Sequence, residues 1–144
     1  MTTLRFVVPG APVPQARHRS VALMRNGAPV IGKGGRPITH EYGDPRSKAY
    51  EAKVRDTALC AARTQSWKMP DAKVRLGVVV RVWRERRAGD LDNFVKQALD
   101  AMTKAGNVWV DDRYVVALSA GMGVDKARPR MEIEVSILGG ANNE

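Results

Sequence analysis

Residues 73–106 read KVRLGVVVRVWRERRAGDLDNFVKQALDAMTKAG, and this stretch holds the two clearest periodic patterns of the chain. Apolar side chains alternate with other residues at its start, which is the period of a half-buried strand and predicts a β-strand over 73–83. After a basic turn, apolar residues recur every three or four positions, which is the period of a helix. Asp90 suits the N-cap of that helix and Gly106 its C-cap, so the sequence predicts a strand that passes directly into a helix.

The sequence on either side predicts one more helix and several more strands. Asp44 precedes a proline, which is typical of an N-cap followed by the first helical position and predicts a helix over 45–64. Residues 20–41 have no apolar periodicity and contain several glycines, so they predict a flexible basic hairpin or loop. Alternating apolar residues predict strands at 3–8, 114–124 and 131–137, with a short apolar strand at 108–110.

This order of elements predicts an α+β fold, with a mixed β-sheet and the two main helices packed on one of its faces. The chain has 144 residues, the size of one ordinary domain, so residues 1–144 are expected to form a single domain. The one cysteine, Cys60, excludes a disulfide framework and a cysteine-rich zinc site. It also favours a reducing compartment. Since the sequence has no run of about 18 apolar residues and no signal-peptide core, we expect a cytoplasmic protein without a membrane segment.

Charge is distributed unevenly along the chain. The formal net charge is +9; residues 1–87 carry 18 lysines and arginines against 6 acids, whereas residues 88–144 carry 6 against 9. A surface this basic attracts polyanions, because phosphate neutralisation supplies most of the non-specific affinity for nucleic acids. Five of the 15 acids nevertheless fall within 23 residues, namely Asp90, Asp92, Asp100, Asp111 and Asp112. Acids grouped in this way within a cationic protein indicate a candidate site.

The first acids lie where the predicted strand meets the predicted helix. Asp90 and Asp92 flank Leu91, which belongs to the apolar stripe, so the two carboxylates can converge beside a buried position. The alternative is that they only stabilise the helix N-terminus, by roughly 0.3–1 kcal/mol each. Lys96 lies one turn beyond Asp92, where its ammonium can touch a phosphate group. Its alternative role is an exposed ion pair with Asp100, four residues further on.

A second acidic pair, Asp111 and Asp112, follows the short apolar run. The returning chain is expected to bring Asp112 or Asp111 close to Asp90 and Asp92 at one end of the sheet. Three gathered carboxylates repel one another, each close pair costing on the order of 4 kcal/mol at an effective dielectric of about 20, so they require a cation. Oxygen ligands without paired histidines or thiolates suit Mg²⁺, with Mn²⁺ as a substitute. Such an ion neutralises charge that develops on phosphorus and supplies a hydroxide nucleophile.

A wider set of residues resembles a known family. The segments RRAGDLDNFVK at 86–96, LDAMTKAG at 99–106 and WVDD at 109–112 resemble the RusA family of Holliday-junction resolvases. The resemblance is dense over about residues 81–138 and weaker in the proline- and arginine-rich stretch 9–19.

This resemblance implies a small homodimeric, metal-dependent endonuclease that nicks two symmetric strands of a four-way DNA junction in recombination and repair. It also implies the roles of individual residues. Asp90, Asp92 and Asp112 match the metal-binding acids of the family, Lys96 matches its catalytic lysine, and Asp111 is the weaker metal candidate. No organic cofactor is implied.

Basic residues near these acids and in the N-terminal half are candidates for contacts to DNA phosphates. They are Arg17, Arg19, Lys33, Arg36, Arg84, Arg86 and Arg87. Two other functions stay open on the sequence. One is a metal nuclease that acts on other branched DNA or on RNA. The other is a non-catalytic basic DNA-binding protein whose acids serve only as helix caps.

Overall fold

The described part of the chain contains two helices, and strands precede, separate and follow them. The computed structural model describes residues 2–16, 19–42 and 44–140, without the side chains at 19–21 and 40–42. Within these ranges the elements are β1 (Thr3–Pro9), β2 (Arg19–Ala22), β3 (Met24–Arg25), β4 (Ala28–Pro29), β5 (Thr39–Tyr42), α1 (Pro45–Thr64), β6 (Arg75–Arg84), α2 (Leu91–Ala105), β7 (Val115–Val124) and β8 (Arg130–Gly139).

Four of the strands form one mixed sheet in the order β1-β8-β6-β7. β8 is antiparallel to both β1 and β6, whereas β6 and β7 run parallel and are connected through α2. The buried residues of β1, β6 and β8 alternate along each strand and stand in register, as Phe6 and Val80 do on either side of Ile133. They therefore share one face, where they pack with both helices in a single core. The predicted α+β fold, with a mixed sheet and two helices, is confirmed.

Both helices begin and end where the sequence predicts. The Asp44 carboxylate accepts a hydrogen bond from the Arg46 backbone N–H at 2.9 Å, and Pro45 occupies the first helical position of α1. Gly106 ends α2 in the left-handed conformation, at φ 78°. In the described part of the chain, neither helix is long and apolar enough to cross a membrane.

The connection from α2 to β7 does not contain the strand predicted at 108–110. Val108 and Trp109 are buried in the core instead. The Trp109 indole N–H donates to the Thr103 hydroxyl at 2.8 Å, and the Trp67 indole N–H donates to the Val108 carbonyl at 2.9 Å. The apolar pattern of 108–110 therefore predicts a strand, whereas in the structure the segment is a loop whose first two side chains belong to the core.

The excursion between β1 and α1 consists of two small antiparallel pairs, β2 with β5 and β3 with β4. Asn26 and Gly27 connect β3 to β4 with φ of 53° and 77°, which are the positive values that a two-residue hairpin turn requires. A short 3₁₀ turn, Lys33–Gly35, lies between the pairs. The flexibility predicted for 20–41 stays a prediction.

The two edges of the main sheet differ. At the β1 edge, the Gln65 side chain accepts from the Arg5 N–H at 3.2 Å and donates to the Arg5 carbonyl at 2.6 Å, so a side chain takes the place of a further strand. At the other edge, β7 has the sequence VVALSAGMGV without a charge or proline, and no described strand lies beyond it. Val116 and Leu118 are 58% and 51% exposed there. Proteins usually protect such edges with charged residues, prolines or a covering segment. Since β7 has none of these among the described residues, we call it the unprotected edge.

A buried polar contact fixes the proline-rich segment that follows β1. Gln97 of α2 is fully buried, and its amide N–H donates to the Ser47 carbonyl of α1 at 2.7 Å and to the Val13 carbonyl at 3.5 Å. The Ser47 hydroxyl accepts from the Ala16 N–H at 3.2 Å. The segment 11–16 is therefore held against the two helices.

Candidate active site

One end of the sheet collects several chain segments. β1 runs parallel to β6, since both are antiparallel to β8, so the two strands finish at the same end. The Gly10 N–H donates to the Pro129 carbonyl at 3.1 Å, and the Asp125 N–H donates to the Arg84 carbonyl at 2.8 Å. The start of α2 follows directly from this end, so its first acids lie beside the proline-rich segment.

Asp90 and Asp92 both lie exposed at the N-terminus of α2. Asp90 is the N-cap residue, as predicted, but its carboxylate makes no capping hydrogen bond. Its backbone carbonyl instead accepts from the N–H groups of Asn93 and Phe94. The Asp92 carboxylate accepts from the Asn93 N–H at 3.0 Å. Capping therefore does not account for the Asp90 side chain.

The turn before Asp90 is held tightly. Gly89 has φ of 85°, and a Cβ built there would lie 2.8 Å from the Phe94 ring and 3.2 Å from Pro14. The Arg84 guanidinium donates to the carbonyls of Ala88 and Gly89 at 3.3 and 3.4 Å. A positive φ and this close packing both require glycine, so the turn fixes where Asp90 begins the helix.

Lys96 is exposed one turn beyond Asp92. The ion pair with Asp100, considered as its alternative role, is absent among the side chains that the structure describes. Asp100 accepts instead from the Gln15 amide at 2.7 Å. The Lys96 ammonium therefore stays available to a phosphate group.

Asp111 and Asp112 lie at the start of the 3₁₀ turn before β7, and the pKa values of their carboxyl groups shift in opposite directions. Hydrogen bonding from the Arg113 N–H lowers the pKa of Asp111. Burial raises the pKa of Asp112, and the neighbouring carboxylates of Asp111 and Asp100 raise it further. Negative charge is therefore crowded around Asp112.

The expected meeting of Asp112 with Asp90 and Asp92 does not occur among the residues that the structure describes. Across residues 2–16, 19–42 and 44–140, no three acidic, histidine or cysteine side chains lie close enough to hold a metal ion. The reason is topological. α2 starts near the end of β6, whereas β7 starts beside Leu76, near the beginning of β6. The 15 residues of α2 carry the chain about 22 Å, and without a strand at 108–110 nothing brings it back.

The candidate ligands are nevertheless of the chemical type that binds a hard divalent cation. All candidate ligands are carboxylates, which are the oxygen donors that such a cation takes. The uncapped Asp90 carboxylate and the crowded charge at Asp112 are features that a bound cation would relieve.

Two contributors are missed by the sequence reasoning. Asp100 is one of the five grouped acids, but the sequence assigns it no role beyond an ion pair with Lys96; in the structure its carboxylate raises the pKa of Asp112 and accepts a hydrogen bond from Gln15. Its place eight residues after Asp92, with Lys96 midway, is the local signal that it lies on a related face of α2. Gln15 has no such signal, because its contact spans 85 positions of sequence.

The residues predicted to contact phosphates are distributed over two regions. Lys33 and Arg36 are exposed in the excursion, and Arg86 and Arg87 are exposed in the turn before Asp90. Arg84 is half-buried and bonded to that turn. Arg17 lies outside the described residues, and Arg19 belongs to β2 without a described side chain.

The protein is a small cationic α+β protein with exposed carboxylates and a lysine at the start of one helix. These features are typical of nucleases that cleave phosphodiesters. The comparison with protein families specifies which one. The family model described as Endodeoxyribonuclease RusA matches residues 9–136. The chain therefore belongs to the RusA family of Holliday-junction resolvases, as the sequence resemblance implied. A search of curated proteins found no match.

The tight turn before Asp90 can be tested with Gly89→Ala. We expect it to lower the free energy of unfolding by about 2–4 kcal/mol, because alanine adds strain at positive φ and a clash with Phe94. The matched control is Gly27→Ala, which has the same sign of φ but meets no atom within 4 Å, and should cost only about 1 kcal/mol. Urea unfolding of both variants measures the difference. Equal losses would show that the contact with Phe94 and Pro14 does not hold the turn.

Proposed function

We propose that the protein is a metal-dependent endonuclease that resolves four-way DNA junctions by paired symmetric nicks. Family membership supports a junction endonuclease. The observation that carries the proposal is the uncapped Asp90 carboxylate, next to Asp92 and Lys96, at the exposed start of α2 in a chain of net charge +9. Junction resolution belongs to recombination and repair, and we place it in the cytoplasm.

The proposed chemistry divides between the acids and the bases. Asp90, Asp92 and Asp112 would hold Mg²⁺ or Mn²⁺, with Asp111 as the weaker ligand. The ion supplies an activated water and neutralises charge on the phosphate when it is bound. The Lys96 ammonium is placed to stabilise charge on the phosphoryl oxygens, while Arg86 and Arg87 bind the flanking backbone.

The central test uses a synthetic four-way junction with Mg²⁺ and with EDTA. We expect symmetric nicks in Mg²⁺ and none in EDTA. Asp92→Asn should lower the rate at least about 100-fold while junction binding stays equal or becomes tighter, because a negative charge facing phosphate is removed. Asp71→Asn, the same change at an exposed residue that is not one of the candidate site acids, is the control and should cleave normally.

Three results would contradict this proposal. Equal cleavage of a flap or of RNA would favour a different metal nuclease. Full activity of Asp92→Asn would exclude the acidic site. Binding without any cleavage in Mg²⁺ or Mn²⁺ would leave a non-catalytic DNA-binding protein.

We also propose that the protein is a homodimer, with the unprotected strand β7 as its interface. No described strand pairs with its outer side, and it has no charge to repel a second copy. Leu118 and Met122 add exposed apolar surface beside it, at 51% and 40%. Antiparallel pairing of two β7 strands would satisfy the backbone groups of both edges and give the two-fold symmetry that paired nicks require.

This arrangement also accounts for the separated acids. In an antiparallel pair, the start of β7 in one subunit lies beside the end of β7 in the other. Asp112 precedes the start of β7, whereas Asp90 and Asp92 follow the end of the neighbouring strand β6. Asp112 of each subunit would therefore approach the first two acids of the second copy. Each dimer would contain two such composite sites.

Leu118→Lys tests the interface. We expect the wild type to have twice the chain mass of 15.8 kDa, and the variant to have the monomer mass, because each lysine would place a positive charge at the edge where the second copy pairs. Val7→Lys is the control, since Val7 is 50% exposed on β1, the strand with the protected edge. Analytical ultracentrifugation measures both. A monomeric wild type, or a dimeric Leu118→Lys, would overturn the β7 interface.

Mixing two inactive variants tests the composite site. Asp92→Asn and Asp112→Asn are unfolded together, refolded and assayed on the junction. If each site uses acids from both subunits, heterodimers contain one intact site, and about a quarter of wild-type sites should be restored. If each site lies within one subunit, every site in the mixture carries a substitution and no nicking returns. Each variant refolded alone is the control.

A further inference from the structure

A cleft of about 610 Å³ opens beside the start of α2, outside the acids themselves. Its walls are the proline-rich segment 11–16, the beginning of α1, the turn 84–89 and Lys126. This volume lies in the range of pockets that hold small molecules. Nothing in the proposed metal chemistry uses this space.

One wall of the cleft is apolar and preformed. Pro12, Val13 and Pro14 line it together with Phe94. Proline fixes the backbone conformation, and the hydrogen bonds from Gln97 to Val13 and from the Gln15 N–H to the Asn93 carbonyl hold the segment on α2. A flat apolar group can therefore pack there without first ordering the chain.

The rim of the cleft is cationic. Arg46, Arg86 and Lys126 line it, are exposed, and form no ion pair with any described side chain. Two acids, Asp44 and Glu85, also line the cleft, against four cationic side chains when Arg84 is included. The rim therefore keeps a positive excess that suits a phosphate group.

The cleft adjoins the candidate active site along the chain. Gly89 lines it and is followed immediately by Asp90. A DNA strand whose phosphate lies at the acids can therefore continue past this turn. On that path, the nucleotide next to the phosphate is the one that reaches the cleft.

We propose that the cleft binds one nucleotide of the cut strand, adjacent to the scissile phosphate. Its base packs on the wall of Pro12, Val13 and Pro14, and its far phosphate lies at Arg86 and Lys126. The inference rests on the proposed nuclease function and adds to it the place where a base is recognised.

Nucleotide binding is tested apart from cleavage by NMR titration of the full chain with deoxyadenosine monophosphate and, separately, with inorganic phosphate. We expect the nucleotide to shift the backbone amides of Ala88 and Gly89 and phosphate to bind at least about fivefold more weakly. Ala88→Trp, an exposed position on the cleft, should weaken nucleotide binding about tenfold or more by filling it. Ala127→Trp, exposed outside the cleft, is the control and should bind as the wild type does.

A pair of charge variants guards against a folding effect of tryptophan. Lys126→Gln should weaken nucleotide binding about threefold, while Arg128→Gln, two residues further on and outside the cleft lining, should not. Equal binding of phosphate and nucleotide would leave an anion site only and overturn the base contact. Undiminished binding by Ala88→Trp would overturn the cleft.

Adjacency to the cut is tested with junctions that lack one base on either side of the scissile phosphate. We expect one of these abasic positions to lower kcat/KM about tenfold for the wild type and for Ala127→Trp, and to have no effect on Ala88→Trp. A uniform response of all three proteins would overturn the proposal. Nucleotide binding without any junction cleavage would instead overturn the proposed function and leave the cleft in place.

Discussion

Two parallel strands need a connection that spans the length of the sheet, and this constraint shapes the whole candidate site. In this protein α2 is that connection, between β6 and β7. The acids at its start and the acids after its end are therefore placed at different ends of the sheet. The chain does not return along the sheet after α2, since Val108 and Trp109 are buried in the core and 108–110 is not a strand. The separation of the acids is thus a consequence of the topology, and in the proposed dimer the second copy closes it.

The same connection through α2 places β7 at the edge of the sheet, directly after the second acidic pair. β1 and β7 are both edges, and among the described residues the Gln65 side chain bonds to the free backbone of β1, whereas no described strand or side chain does so at β7. A long exposed edge without charge or proline promotes association between chains. Since β7 begins just after Asp112, pairing at this edge and completion of the acidic site are one event in the proposed dimer. Oligomerisation and catalysis would then be coupled by sequence position alone.

The sequence predicted the regular elements well because their signals are local. The period of apolar residues, the Asp44 cap and Gly106 each report on neighbours a few positions away, and both helices have the predicted bounds. The prediction of a strand at 108–110 is wrong for the same reason, because a short apolar segment has the same sequence pattern in a strand and in a loop of the core. The contact of Gln15 with Asp100 and the distance from Asp112 to the first acids depend on tertiary packing. No pattern within one segment contains that information.

The protein has a positive net charge, whereas its candidate site is acidic. The net charge acts on DNA at long range, and the acids act at short range. The net charge of +9 draws a polyanion towards the protein over distances comparable to the screening length. Close to the surface, Asp90 and Asp92 repel the phosphates that the rest of the chain attracts. A divalent cation reverses that local repulsion, so in the proposed enzyme metal and DNA favour each other's binding. An acidic site without a cation would hold the DNA backbone away from Lys96, and the basic surface would then bind the junction without cutting it.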